Sequence, residues 1–258
     1  MLLTVTFAHM SAPSVDDNWF EDWFDSPFYP LLYVHRSEQE AEKLIDNLVK
    51  ILNIPSGAKI LDLACGRGRH AVALAKRRFD VTGVDLSEES IRDAKKLEMA
   101  NLQFHVHDMR RAVAINYFDA TVNLFTSFGY FTTVQDNIRT LNAMHASLKK
   151  NGTLVIDYFN SECVRKLVAQ SNSGEKLVDG IKFTWVKSIE NDKVVKRITV
   201  IADGKSYLYT ESVQLFSLQQ FMALLDTQFS VTAIYGSYDL EPFDVNNSER
   251  MILRCSKK

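Results

Sequence analysis

Between residues 59 and 159 the chain alternates short apolar runs with helical stretches, and no other feature narrows its possible folds so far. The spacing predicts strands at 59–63, 80–84, 102–107, 118–125 and 152–159, with helices at about 68–78, 87–98 and 135–149. Strands joined by helical crossovers pair in parallel, because a tight turn can only reverse direction. A helix near 217–226 and two closing strands near 228–237 and 248–256 bring the count to seven. The expected class is therefore α/β: a doubly wound, mostly parallel seven-stranded sheet with helices on both faces and ligands at the carboxyl ends of its strands.

Two segments lie outside that pattern. In Asp16–Phe24, Trp19, Phe20, Trp23 and Phe24 fall on one side of a short helix, which reads as packing or as a lid. Ser37-Glu-Gln-Glu40 has the form of a capping box before an amphipathic helix that ends near Pro55-Ser-Gly57. From Gly174 the texture becomes β-rich: Ile181–Ser188, Lys193–Ile201 and Tyr207–Leu215 are joined by turns at Glu190-Asn-Asp192 and Ala202-Asp-Gly204. The expected organisation is an aromatic lid over 1–36, a core over 37–170, an antiparallel insertion over 171–216 that covers substrate or contacts a second copy, and a closing unit over 217–258.

The first strand runs into Ala64-Cys-Gly66-Arg-Gly68 and a helix, so the backbone can turn sharply and present N–H groups to a ligand. Gly66-Arg-Gly68-Arg-His-Ala71 also fits the dinucleotide fingerprint, and Asp85 at the second strand tip could hold a ribose in either cofactor class. Asp62 separates the two readings. A carboxylate beside the loop repels a pyrophosphate and welcomes the ammonium and sulfonium of S-adenosylmethionine. Asp108 ends the third strand, where a side-chain acceptor beside a backbone N–H could read an adenine edge. Asp62, Asp85 and Asp108 recur every 23 residues, one βα unit apart.

These residues carry a resemblance. Asp62-Leu-Ala-Cys-Gly66-Arg-Gly68 resembles the glycine motif of class I S-adenosylmethionine-dependent methyltransferases, Val84-Asp85-Leu86-Ser87 their second motif and His107-Asp108-Met109 their third. Phe118–Tyr130 is similar to a fourth motif of small-molecule N-methyltransferases, including amino-sugar dimethyltransferases. The likeness spans about Tyr29 to Tyr158, with two family glycines replaced, one by Ala64 and one near Arg69. It implies a cofactor site of Tyr33, Arg36, Asp62, Ala64, Cys65, Gly66, Gly68, Asp85, Leu86, Asp108, Met109 and Leu124, with Tyr33 and Tyr130 at the reacting groups. The implied product is S-adenosylhomocysteine.

In-line methyl transfer from a sulfonium needs alignment, a dry pocket and an acceptor in the right protonation state. An amine must arrive neutral; a hydroxyl needs a base, for which His35, Glu211 and Asp157 are the available groups. Tyr207, Tyr209, Glu211 and Val213 share a strand face that could cover a pocket and attract an amine, or pack on the sheet, or meet a second copy. Asn160-Ser161 reads as a helix cap. Asn123-Leu-Phe-Thr126 stands where methyltransferases of adenine N6 carry an Asn/Asp-Pro-Pro-aromatic segment, and HExxH and CxxC spacings are absent. With 30 basic and 32 acidic residues there is no global field for a polyanion. Three scattered cysteines suit a reducing cytoplasm, and no apolar run is long enough to span a membrane. The expectation is transfer to N or O of a small molecule, without nucleic acid or membrane, by a chain that could form a homodimer. Two alternatives stay open: an NAD-dependent oxidoreductase, and a non-catalytic cofactor-binding partner protein.

Overall fold

A computed structural model describes residues 18–33 and 38–258. The expected roles of Arg36, His35 and the capping box at Ser37 lie outside the described residues. The chain opens with α1 (Trp19–Phe24), α2 (Tyr29–Leu32) and α3 (Glu38–Leu52) and then enters the alternating unit. This comprises β1 (Lys59–Leu63), α4 (Arg69–Lys76), β2 (Asp80–Asp85), α5 (Glu88–Ala94), β3 (Leu102–Val106), β4 (Phe118–Asn123), α6 (Val134–Ser147), β5 (Leu148–Phe159) and α7 (Ser161–Gln170). Four antiparallel strands follow, β6 (Ser173–Val178), β7 (Ile181–Glu190), β8 (Lys193–Ala202) and β9 (Lys205–Gln214). The chain closes with α8 (Leu218–Leu225), β10 (Phe229–Tyr235) and β11 (Arg250–Lys257).

The main sheet has the order β10-β11-β5-β4-β1-β2-β3, with β1 to β5 parallel and the last two strands antiparallel. The direction of the chain order reverses between β1 and β4, and in such sheets a crevice opens there at the carboxyl ends. Ile60, Val81, Phe104, Ala120, Val122 and Val155 fill one face with α3 and α4. Leu61, Val84, Ile156 and Leu253 fill the other with α6 and α8. Because both faces are covered, these strands read as apolar runs rather than alternations.

Several boundaries depart from the sequence expectation for local reasons. β4 stops at Asn123 because Phe125 and Thr126 both take φ near +62°, which no strand accommodates. α6 ends at Ser147 and β5 begins at Leu148, four residues early, through an irregular pairing beside Asn151. Helix 87–98 is α5 plus a short 3₁₀ turn over Lys95–Leu97. The insertion has a strand beyond the three expected, β6, turned onto β7 by Asp179-Gly180. All three of its hairpins use two-residue turns with positive φ at both positions, at 179–180, 191–192 and 203–204. Among the described residues, no helix is long and apolar enough to cross a membrane.

The four-stranded sheet lays its inner face on the N-terminal aromatics. Trp19, Phe20, Trp23 and Leu32 join Phe131, Phe183, Ile198 and Val200 in a third core, separate from the two that flank the main sheet. α1 and α2 are thus held between the insertion and the crevice.

Candidate active site

Two connected chambers open where β1, β2 and β4 end. A small one of about 110 Å³ is lined by Gly66, Asp85, Leu86, Asp108, Met109 and Ser90 among others. A larger one of about 620 Å³ is lined by Tyr33, Cys65, Leu124, Phe125, Lys196 and Glu211 among others. Ala64, Gly66, Ser127, Tyr130, Phe24 and Tyr29 line both, so the chambers meet over the loop after β1. No residue of β6–β9 lines the small chamber, whereas Lys187, Lys196 and Glu211 roof the large one.

The loop is built around Asp85. Its carboxylate accepts from Gly66 N at 2.8 Å and from Ser87 N at 2.9 Å, tying the tip of β2 to the turn after β1. Burial pushes Asp85 above its ordinary value, opposed by those backbone donors. Ser87 caps α5 by accepting from Ser90 N, and its hydroxyl donates to Asp25 at 2.5 Å, fastening the end of α1 to the loop. Ala64 stands in place of a family glycine yet keeps a glycine-like φ of +61°.

Asp62 lies elsewhere than the sequence reading placed it. It lines neither chamber; it is buried beneath the loop, against the first turn of α4 at Ala71. Burial and repulsion from Asp85 push its carboxyl up to about 7, and its Oδ2 has no partner. Two acids at one loop, Asp62 buried beneath it and Asp85 part-exposed on the chamber wall, disfavour a pyrophosphate and are relieved by a cation, so the donor set fits a sulfonium ligand carrying an ammonium. Gly66 (φ +55°) has open space where a Cβ would stand, which leaves room for a ligand. Gly68 serves packing instead. A Cβ there would lie 2.5 Å from the Phe104 ring, and one on Gly83 2.6 Å from the same ring.

Asp108 reaches the small chamber but is occupied. It accepts from Arg110 Nε at 3.0 Å, Nη2 at 2.7 Å and the backbone N at 2.9 Å. Burial would raise its carboxyl; the bonds from Arg110 outweigh that and hold it low. Arg110 lies over the Phe131 ring, 4.9 Å from its centre.

The far wall of the large chamber is a cluster that the sequence reading caught only in part. Tyr33 Oη donates to Glu211 Oε1 at 2.5 Å, Trp23 Nε1 donates to the same oxygen at 2.7 Å, and Lys196 Nζ donates to Tyr33 Oη at 2.8 Å. Lys196 lies 3.7 Å from Glu211 Oε2 and about 5 Å from the centres of the Tyr33 and Trp185 rings. The expected face of Tyr207, Tyr209, Glu211 and Val213 is divided: Glu211 and Val213 line the chamber, whereas Tyr207 packs on Phe28 and Tyr209 on Trp23 and Phe28, none of which lines it. Asp157, a candidate base, is instead fully buried in an ion pair with Arg250. Lys196 and Arg250 escaped sequence reading because strand pairing, not spacing, brings them to the chamber. Asn160 caps α7, as expected, by accepting from Glu162 N.

The chain matches the methyltransferase domain family over residues 54–214. It belongs to that family. It is 27% identical over 220 residues to the Bacillus subtilis (strain 168) protein YqeM, whose own methyltransferase assignment is provisional, covering 80% of this chain and 86% of that one. It is 30% identical over 131 residues to dTDP-3-amino-3,4,6-trideoxy-alpha-D-glucopyranose N,N-dimethyltransferase of Streptomyces venezuelae, covering 50% of this chain and 54% of that one. Its fold superposes with TM-score 0.75 and 18% identity on an S-adenosylmethionine-dependent methyltransferase from Clostridium acetobutylicum ATCC 824, covering 89% and 95% of the two chains. The seven-stranded α/β architecture expected from the sequence is thus the methyltransferase one, and the chain is an S-adenosylmethionine-dependent methyltransferase. The oxidoreductase alternative falls away.

Proposed function

We propose that the chain transfers methyl groups to the nitrogen of a small amine held in the large chamber. The observation that carries this reading is Glu211, a carboxylate fixed by Trp23 and Tyr33 on the wall of the chamber that the glycine loop also lines. S-adenosylmethionine supplies a methyl group made electrophilic by its sulfonium. The small chamber takes the adenosine, with Asp85 toward the ribose, Leu86 and Met109 as apolar walls and Asp108 toward the adenine. Ala64, Cys65, Gly66 and Leu124 line the passage to the methionine end. Asp62, beneath the loop, supplies negative charge under the cationic part without touching it. Tyr33 and Tyr130 border the space where the reacting groups meet.

An amine at neutral pH arrives as an ammonium and must lose a proton before its lone pair can attack. Glu211 draws that ammonium in and accepts the proton, and Tyr33 holds the carboxylate in one orientation. As the N–C bond forms the S–C bond breaks, and the sulfur leaves as a neutral thioether. The aromatic lid of Trp19, Phe24, Tyr29 and Tyr130 keeps water away from the methyl group. The similarity to an amino-sugar N,N-dimethyltransferase supports nitrogen as the target.

The test is turnover, read as adenosylhomocysteine released, against matched panels of small amines and phenols. Amines alone should be methylated, and Glu211→Gln should lower kcat on the order of 10²-fold while adenosylhomocysteine still binds. Methylation of phenols with no turnover of amines would overturn the reading.

A further inference from the structure

The inner face of the β6–β9 sheet is ordered in rungs. Strand pairing sets Phe183 opposite Val200 and that opposite Tyr207, then Trp185, Ile198 and Tyr209, then Lys187, Lys196 and Glu211, then Ile189, Val194 and Val213. Three rungs are apolar or aromatic, as a face laid on a core requires. The remaining rung sets two lysines directly opposite one another, an arrangement that costs stability in an antiparallel pair. All three members of that rung line the large chamber.

Charge compensation within the rung is incomplete. Two ammonium groups meet one carboxylate, and Glu211 stands beside Lys196 at 3.7 Å. Lys187 has no carboxylate partner among the described residues. Arg67, Arg69 and Arg250 also line the chamber, but Asp93 holds the first at 3.1 Å, the second lies over the Phe125 ring, 5.5 Å from its centre, and Asp157 holds the third at 2.6 Å. The Lys196 side chain is only 12% exposed, so solvent does little to screen it. Two opposed cations facing inward, over a cavity rather than toward bulk water, are stabilised when an anion lies between them.

We propose that Lys187 and Lys196 form an anion subsite in the acceptor chamber, so that the methyl acceptor is an amine that also carries a carboxylate or a phosphate. This rests on the amine-acceptor reading only for the name of the ligand; the subsite itself follows from the rung. The acceptor's cationic end meets Glu211 and its anionic end meets the lysines. Lys187 and Glu211 lie two strands apart, roughly 10 Å across the sheet, so both ends of a small zwitterion are held at once.

The experiment is calorimetric titration of sodium pyrophosphate, inorganic phosphate and acetate into the full chain at fixed ionic strength, with and without saturating adenosylhomocysteine. Saturable binding is expected, weakened about tenfold in Lys187→Met and restored in Lys187→Arg. Preference for phosphate or for acetate names the anionic group. Binding no stronger than that of chloride, or equal binding by Lys187→Met with an unchanged melting profile, overturns the subsite. Anion binding by a protein that methylates phenols but no amines would uphold the subsite and defeat the amine reading; amine turnover without anion binding would do the opposite.

Discussion

Arg250 closes its guanidinium on a single oxygen of Asp157, Nε at 2.8 Å and Nη2 at 2.6 Å, while the other Asp157 oxygen accepts from Phe125 N at 2.8 Å and Tyr238 Oη at 3.1 Å. Arg250 Nη2 also donates to Thr126 Oγ1 at 3.0 Å, and Thr126 N donates to the Asp157 carbonyl at 2.9 Å. The pair therefore pins the two consecutive residues whose left-handed backbone ends β4 and walls the large chamber. Asp157→Ala leaves Arg250, 17% exposed on the chamber wall, without its counter-charge and should destabilise the fold by about 2–4 kcal/mol, below the full cost of an unpaired buried charge. Urea denaturation measures it; Asp157→Asn, which keeps an acceptor for Phe125 N, should lose less.

Asp62 gives a dependence on pH. Its folded value of about 7 stands above the ordinary 3.8, so between those values the folded state holds a proton the unfolded chain has released. Stability is then full below about 4 and falls as pH rises to about 7, by roughly 4 kcal/mol at most. Asp62→Asn should flatten this slope in denaturation curves from pH 4 to 8. It should also weaken S-adenosylmethionine, whose sulfonium is charged, more than the neutral-sulfur adenosylhomocysteine.

One aromatic ring explains two glycines. Gly83→Ala would press a methyl to 2.6 Å from Phe104 and 3.0 Å from Cys65 Sγ, costing about 1–3 kcal/mol. Phe104→Leu in the same chain should recover part of the loss by vacating the ring's edge. Thermal unfolding of the two single variants and the double variant decides it.

Ala64 carries φ +61° where glycine is unstrained. Ala64→Gly should raise stability, or at worst leave it level, since relief of about 1 kcal/mol of backbone strain opposes a comparable gain in unfolded-chain entropy. A loss above about 1 kcal/mol in denaturation would show that the methyl group is needed for packing.

Tyr33→Phe removes the donor to Glu211 and the acceptor of Lys196 while keeping the ring. We expect kcat to fall on the order of tenfold, with adenosylhomocysteine affinity held within about twofold. A comparable loss of affinity would place Tyr33 on the cofactor rather than beside the acceptor.

Much of the scaffold could be read directly because strands buried on both faces stand out as apolar runs between helical stretches. The hairpins at 191–192 and 203–204 were legible from their Asn-Asp and Asp-Gly turns, and Asp179-Gly180 offers the same signal for β6. The short, polar β6, Ser173–Val178, gave no hydrophobic period to go with it. In the site, Gly66 and Asp85 follow from local motif chemistry. Whether Gly68 faces ligand or Phe104, and whether Asp62 stands beside the loop or under it, depends on the neighbouring strands, which local spacing does not encode. Lys196 reaches Tyr33 across 163 positions of chain, and no periodicity reports such a meeting.

The large chamber is roofed by strands that contribute nothing to the small one. The six residues common to both chambers tie them together, but the β6–β9 residues belong to the large one alone. On the reading proposed above, exchanges at positions 187, 196 and 211, one rung of a regular ladder, would alter which acceptor is admitted while leaving the lining of the small chamber unchanged. A lineage with this architecture can acquire new clients through a few exchanges on three neighbouring strands.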